Sequence, residues 1–282
     1  MTRLALIATV LLAACGSDLP SDDDTVLGPD DGFVDNGKAD GFLAWTGVGR
    51  GVAYQRINTG NAILIAYGGY SAKLGYSAAW ATELVDARLG AHDVGHVYAV
   101  QGPADAGYNG REIGNTKLRA HLKALGSDAP IYVVAHSSGS YVAHEMLGQL
   151  HNAGDTATLA RIAYADLDGG GSGLTDGIVA SLDKISFVYA RDPVAGSSEN
   201  NSTAKALGAD YALHATTYEV TVPSTGCNTG AGWCLHDVLV THRPHNPQSY
   251  DLARDYTDFV GRPPTIEYFD ALLPAEQPPQ NP

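Results

Sequence analysis

After Trp45 the chain alternates short apolar runs, bounded by Gly and Pro, with stretches that carry one apolar face at helical spacing. A strand apolar at nearly every position must be buried on both sides, so helices have to cover both faces of a mostly parallel sheet. The runs predict strands over Gly51 to Ile57, Ala62 to Tyr67, Val97 to Val100, Ile131 to Ala135, Ile162 to Ala165, Ile185 to Tyr189 and Tyr218 to Val222. Helices are predicted over Ser77 to Leu89, Glu112 to Leu125, Ser138 to Leu150 and Ser249 to Phe259, where the apolar positions recur at three and four residues. No internal repeat appears at periods of about 20 to 50 residues. The segments Gly169 to Lys184 and Pro193 to Asp210 are too short to form a large cap, so the expected class is α/β with little or no cap domain.

Charge and composition narrow the function classes. The net charge is −14, and no run of Lys or Arg provides the clustered cations that a nucleic-acid surface needs. With 44% apolar and 17% charged residues the chain is too hydrophobic to be disordered, and its one long apolar run is too short to span a bilayer. That run, Leu4 to Ala14, follows Arg3 and precedes Cys15, the layout of an export signal over residues 1–14. Its end, Leu12-Ala13-Ala14-Cys15, resembles the bacterial lipobox, which implies cleavage before Cys15, acylation of that cysteine and a membrane anchor made of lipid alone. Gly16 rather than Asp after the cysteine resembles sorting to the outer membrane or cell surface.

Residues 15–43 read as an acidic tether: eight Asp against one Lys between Asp18 and Asp40, with Gly and Pro and little to bury. Asp30, Asp31, Asp35 and Asp40 offer oxygen ligands for calcium, but they lack the alternating pattern closed by a distal Glu. With Cys15 used by lipid, Cys227 and Cys234 remain, and an exported protein favours their pairing as a disulfide over a zinc site. The Pro-rich tail, 263–282, is expected on the surface.

One turn carries most of the chemistry. Ile131-Tyr-Val-Val-Ala135-His136-Ser137-Ser138-Gly139 runs from a buried strand straight into a helix. The pentapeptide Ala135 to Gly139 resembles the nucleophile elbow of the α/β-hydrolase superfamily, G-x-S-x-G, in the form with Ala first. Small residues two positions either side of Ser137 allow the sharp turn that lifts its hydroxyl, and the following helix points N–H groups at a developing oxyanion. By itself a Ser/Gly turn of this kind equally suits a phosphate or no ligand.

The resemblance covers residues 44–262 and supplies further expectations. Ile65-Ala66-Tyr67-Gly68-Gly69-Tyr70 resembles the glycine-bearing oxyanion loop, which implies donors from Gly69 or Tyr70 beside Ser138, although Tyr70 stands where many members have His. Acid and then base should follow the serine. Asp192, in Asp-Pro-Val, is preferred as the acid because the superfamily most often carries it after the strand that ends near Tyr189; Asp168, in Asp-Gly-Gly-Gly, stays open. For the base, His236 beside the cysteine pair is preferred and His245 is the runner-up. His92, His96, His121, His144 and His151 read as solvated or packed, and His136 as facing away from the nucleophile. A metal cluster of His236, Asp237, His242 and His245 is disfavoured by its Pro-rich spacing.

What the resemblance implies is a serine esterase or lipase working through Ser137, Asp192 and His236, with no metal and no cofactor. An open cleft rimmed by Tyr70, Tyr76, Trp80 and Tyr108 would suit a lipid ester or a polyester. The competing class is a non-catalytic surface lipoprotein that keeps the fold as a binding scaffold.

Overall fold

The computed structural model describes residues 46–49, 51–70, 72, 74–87, 93–103, 115–171, 173–191, 199–221, 236 and 239. The export signal, Cys15, the tether, Asp192, Cys227, Cys234, the helix expected at 249–259 and the tail lie outside the described residues. Eight strands form one sheet: β1 (Thr46–Gly49), β2 (Val52–Arg56), β3 (Ala62–Tyr67), β4 (Val94–Val100), β5 (Ile131–His136), β6 (Ile162–Leu167), β7 (Lys184–Arg191) and β8 (Ala215–Thr221). Their spatial order is β1-β2-β4-β3-β5-β6-β7-β8. The β1–β2 and β2–β4 pairs are antiparallel, and every pair from β4 across to β8 is parallel.

Side-chain alternation divides the core in two. Ala62, Leu64 and Ala66 of β3 face one side, with Val97, Val134 and Ala165 from neighbouring strands. There they meet Trp80, Ala81 and Leu84 of α1 (Leu74–Ala87). Ile63, Ile65 and Tyr67 face the other side with Tyr98, Val133 and Tyr164. They meet Leu118 and Leu122 of α2 (Asn115–Leu125) and Val142, Met146 and Leu147 of α3 (Gly139–Asn152). The short α4 (Thr156–Leu159) and α5 (Asp176–Val179) and the longer α6 (Glu199–Asp210) add Leu159, Ile178, Val179 and Leu207 to this second layer. Strands β3, β5 and β6 are buried at every position, which is why they read as unbroken apolar runs.

Three departures from the sequence reading have local causes. β4 begins at Val94, because the polar His96 is absorbed by partners on the neighbouring strand: Tyr54 Oη at 2.9 Å from its Nδ1 and Arg56 at its Nε2. α6 was not expected, since Glu-Asn-Asn-Ser-Thr-Ala-Lys-Ala-Leu-Gly-Ala-Asp has little apolar periodicity, with Ala204 and Leu207 as its buried hydrophobic residues. Trp80 does not rim a cleft. It is 1% exposed in the core beneath α1, because its position on the helix turns the indole toward β3 and β4.

Candidate active site

β5 and β6 are parallel neighbours in register from Ile131↔Ile162 to His136↔Leu167, so the residues that follow them emerge side by side. At the end of β5 the chain turns through Ser137, whose φ of 55° lies in the left-handed region, and enters α3 at Gly139. A β-carbon there costs roughly 1–2 kcal/mol, so the fold holds Ser137 under local strain. The turn is fixed by Ser137 N–H donating to Leu167 O at 3.0 Å and Ser140 N–H donating to Ser137 O at 3.0 Å. Gly139 is required by close approach: a Cβ on it would lie 2.4 Å from Gly68 O.

That contact brings the loop after β3 against the turn. A Cβ on Gly69 would lie 3.2 Å from Cβ of Ser137 and 3.0 Å from His136 Nδ1, so Gly69 packs directly on the serine. Tyr70, the next residue, is 43% exposed. Tyr76 and Tyr108, the other tyrosines expected at the rim, have side chains outside the described set.

His236 comes to this place from the far end of the chain. Its Nδ1 lies 2.7 Å from Oδ2 of Asp168, and both side chains are buried. Asp168 follows β6, has φ of 51° and donates its backbone N–H to Val188 O at 2.8 Å. The acid preferred from sequence, Asp192, lies outside the described residues, and the carboxylate that meets His236 is that of Asp168. Asp168 follows β6, the strand that pairs directly with the serine-bearing β5. A 2.7 Å contact between imidazole and a buried carboxylate is a charge-assisted hydrogen bond, and it fixes the ring with Nδ1 protonated.

His136 does not simply face away. Its ring stacks beside that of His236 with centroids 4.5 Å apart, and its Nε2 donates to the His236 backbone carbonyl at 3.1 Å. Burial pushes its pKa well below the ordinary histidine value; the neighbouring His236 pushes the same way, and the carbonyl hydrogen bond opposes them. A neutral His136 thus ties the turn at Ser137 to the backbone at His236. Its position in the pentapeptide beside Ser137 was the one available sequence clue. Of His236, Asp237, His242 and His245, only His236 is described, and among the described residues no group of three or more His, Cys, Asp or Glu could hold a metal ion.

Gly69, Ser137 and Asp168 thus follow β3, β5 and β6, three neighbouring strands, with Gly69 packed on Ser137 and His136 linking that turn to the His236–Asp168 pair. The sheet is mixed and mostly parallel with helices on both faces, the α/β architecture expected from the sequence. No family model and no curated protein sequence matches the chain. Solved structures similar to it include carboxyl esterase 2 of the mycorrhizal fungus Tuber melanosporum, at 10% identity and TM-score 0.45, covering 63% of this chain and 71% of that one. A thermostable esterase matches at 17% identity and TM-score 0.44, over 70% and 58% of the two chains. A dienelactone hydrolase-like promiscuous phosphotriesterase from metagenomic libraries matches at 14% identity and TM-score 0.41, over 79% and 92%. These are distant structural neighbours.

Proposed function

We propose that the protein is a serine hydrolase of carboxylic esters, with Ser137 as nucleophile, His236 as general base and Asp168 as the residue that orients the imidazole. The observation that carries this reading is the buried 2.7 Å His236–Asp168 hydrogen bond, linked through His136 to the strand-to-helix turn at which Ser137 is left-handed. With Nδ1–H given to the carboxylate, His236 Nε2 holds the lone pair that takes a proton. The Ser137 hydroxyl adds to the ester carbonyl carbon and passes its proton to that nitrogen. The tetrahedral oxyanion receives N–H donors from Ser138 and from Gly69 or Tyr70. Its collapse breaks the bond to the alcohol oxygen, which leaves with the proton from His236. Water, deprotonated by the same imidazole, then attacks the acyl-serine and releases the carboxylic acid.

The site sits on a surface-anchored protein in this reading. Cys15 bears the acyl chains, residues 15–43 form the tether, and Cys227 and Cys234 form a disulfide beside the base. The exposed Tyr70 at the oxyanion loop favours a lipid or polyester substrate. The deciding experiment is fluorophosphonate labelling of the full chain purified in detergent, with the modified peptide mapped by mass. An adduct on Ser137 that disappears in Ser137→Ala and in His236→Ala is expected. A folded protein that takes no adduct would sink the hydrolase reading and bring the binding scaffold forward.

A further inference from the structure

The segment that carries Asp168 is gripped by groups with no part in the chemistry above. Gly169 N–H donates to Asp166 Oδ1 at 2.8 Å. Gly170 N–H donates to Ser140 Oγ at 3.0 Å, and the Ser140 hydroxyl lies 3.3 Å from Gly170 O, which accepts from it. A Cβ on Gly169 would lie 2.4 Å from Ser140 Oγ and 2.5 Å from Asp166 Oδ1, so the loop has no room to shift between its two anchors.

Both anchors are fully buried, and each belongs to an element that meets the proposed site. Ser140 lies in the first turn of α3, three residues after Ser137. Asp166 lies on β6, two residues before Asp168. A buried carboxylate is costly unless several donors hold it. Besides the Gly169 N–H, Oδ2 of Asp166 accepts from Tyr164 Oη at 3.2 Å and lies 3.3 Å from His144 Nε2. His144 is one helical turn beyond Ser140 on α3, so the network spans strand and elbow helix and encloses the start of the acid loop.

We propose that Ser140 and Asp166 are positioning residues that lock the Asp168 loop to the elbow helix and so hold the carboxylate on His236. As a statement about catalysis this rests on the hydrolase reading above. As a statement about geometry it does not. Asp168 adopts left-handed φ, a conformation that Asp tolerates better than most non-glycine residues, and the clamp on the next two residues fixes the chain that leaves it.

The test uses the full chain and reads the low-field Nδ1 proton resonance of His236 by NMR, assigned through its loss in His236→Gln. Ser140→Ala should shift or abolish that resonance and lower kcat about tenfold with KM within twofold, the scale of losing one or two hydrogen bonds. Leu147→Ala, which loosens the same helix without touching the loop, should leave the resonance and kcat in place while lowering the melting temperature. Asp166→Asn, which keeps an acceptor for Gly169, should retain more activity than Asp166→Ala. An unmoved resonance in Ser140→Ala, or an equal change in Leu147→Ala, overturns the proposal. Should Ser140→Ala not fold, amide exchange of Gly169 and Gly170 in the unmodified protein decides: core-like protection is expected, and loop-like exchange refutes the clamp. A protein without esterase activity would remove the hydrolase reading, yet the resonance and exchange would still test the clamp.

Discussion

Replacing Asp168 by Asn tests the acid that the sequence reading left open beside Asp192. The carboxylate is 0% exposed and lies 2.7 Å from His236 Nδ1, so the amide fits the same space with little change in volume. Two losses follow. An imidazolium and a carboxylate about 4 Å apart between charge centres interact by about 4 kcal/mol at an effective dielectric constant near 20, roughly a thousandfold in rate. The amide can also donate to Nδ1, which moves the ring proton to Nε2 and leaves no lone pair for the serine. Together these predict a fall in kcat of about 10⁴-fold, the size seen when a triad carboxylate becomes an amide. The assay is initial-rate hydrolysis of a p-nitrophenyl ester at several substrate concentrations, normalised by active-site titration, with a thermal melt to verify folding. Asp192→Asn, assayed in parallel, should stay within about twofold of the unmodified enzyme. A large loss in Asp192→Asn with near-normal Asp168→Asn would refute the assignment drawn from the observed hydrogen bond.

Further outcomes follow from the same geometry. Ser137→Gly and Ser137→Ala should both lose labelling, but Gly relieves the left-handed strain at φ 55° and should be the more stable by about 1 kcal/mol in urea unfolding. The ordinary order, Ala above Gly, would show that the turn is not strained. Gly139→Ala places a Cβ 2.4 Å from Gly68 O and should cost about 1–3 kcal/mol while reducing activity, measured by denaturation and by the ester assay. Burial, assisted by the charge of Arg56 and the neighbouring His121, lowers the pKa of His96; burial likewise lowers those of His121 and His136. Below about pH 6.5 the unfolded chain therefore binds protons that the folded chain resists, so stability should fall as pH drops from 7 through 6.5 toward the lower folded-state values. The urea midpoint followed across that range should decline, and His96→Gln should flatten the decline.

The alternation of apolar runs and helical faces was enough to place the central strands and three of the four expected helices; the fourth, at 249–259, lies outside the described residues. The reason is that burial on both faces writes itself locally, as in the unbroken Ala62–Tyr67 and Ile131–His136 runs. The strand-turn-helix at Ser137 was legible for a similar reason: small residues at 135 and 139 are a local requirement of a sharp turn. α6 and the early start of β4 were not legible, because their burial depends on what packs against them.

The sequence by itself determined the architecture, the elbow and a short choice of acids and bases. Only the tertiary structure decided that Asp168 meets His236, that His136 holds the His236 backbone, that Ser140 and Asp166 grip the acid loop, and that Trp80 is core. Each of those depends on which strand lies beside which and on how loops cross between layers. Such pairings join residues as far apart as 68 and 100 positions in the chain, and no local pattern of side chains encodes them.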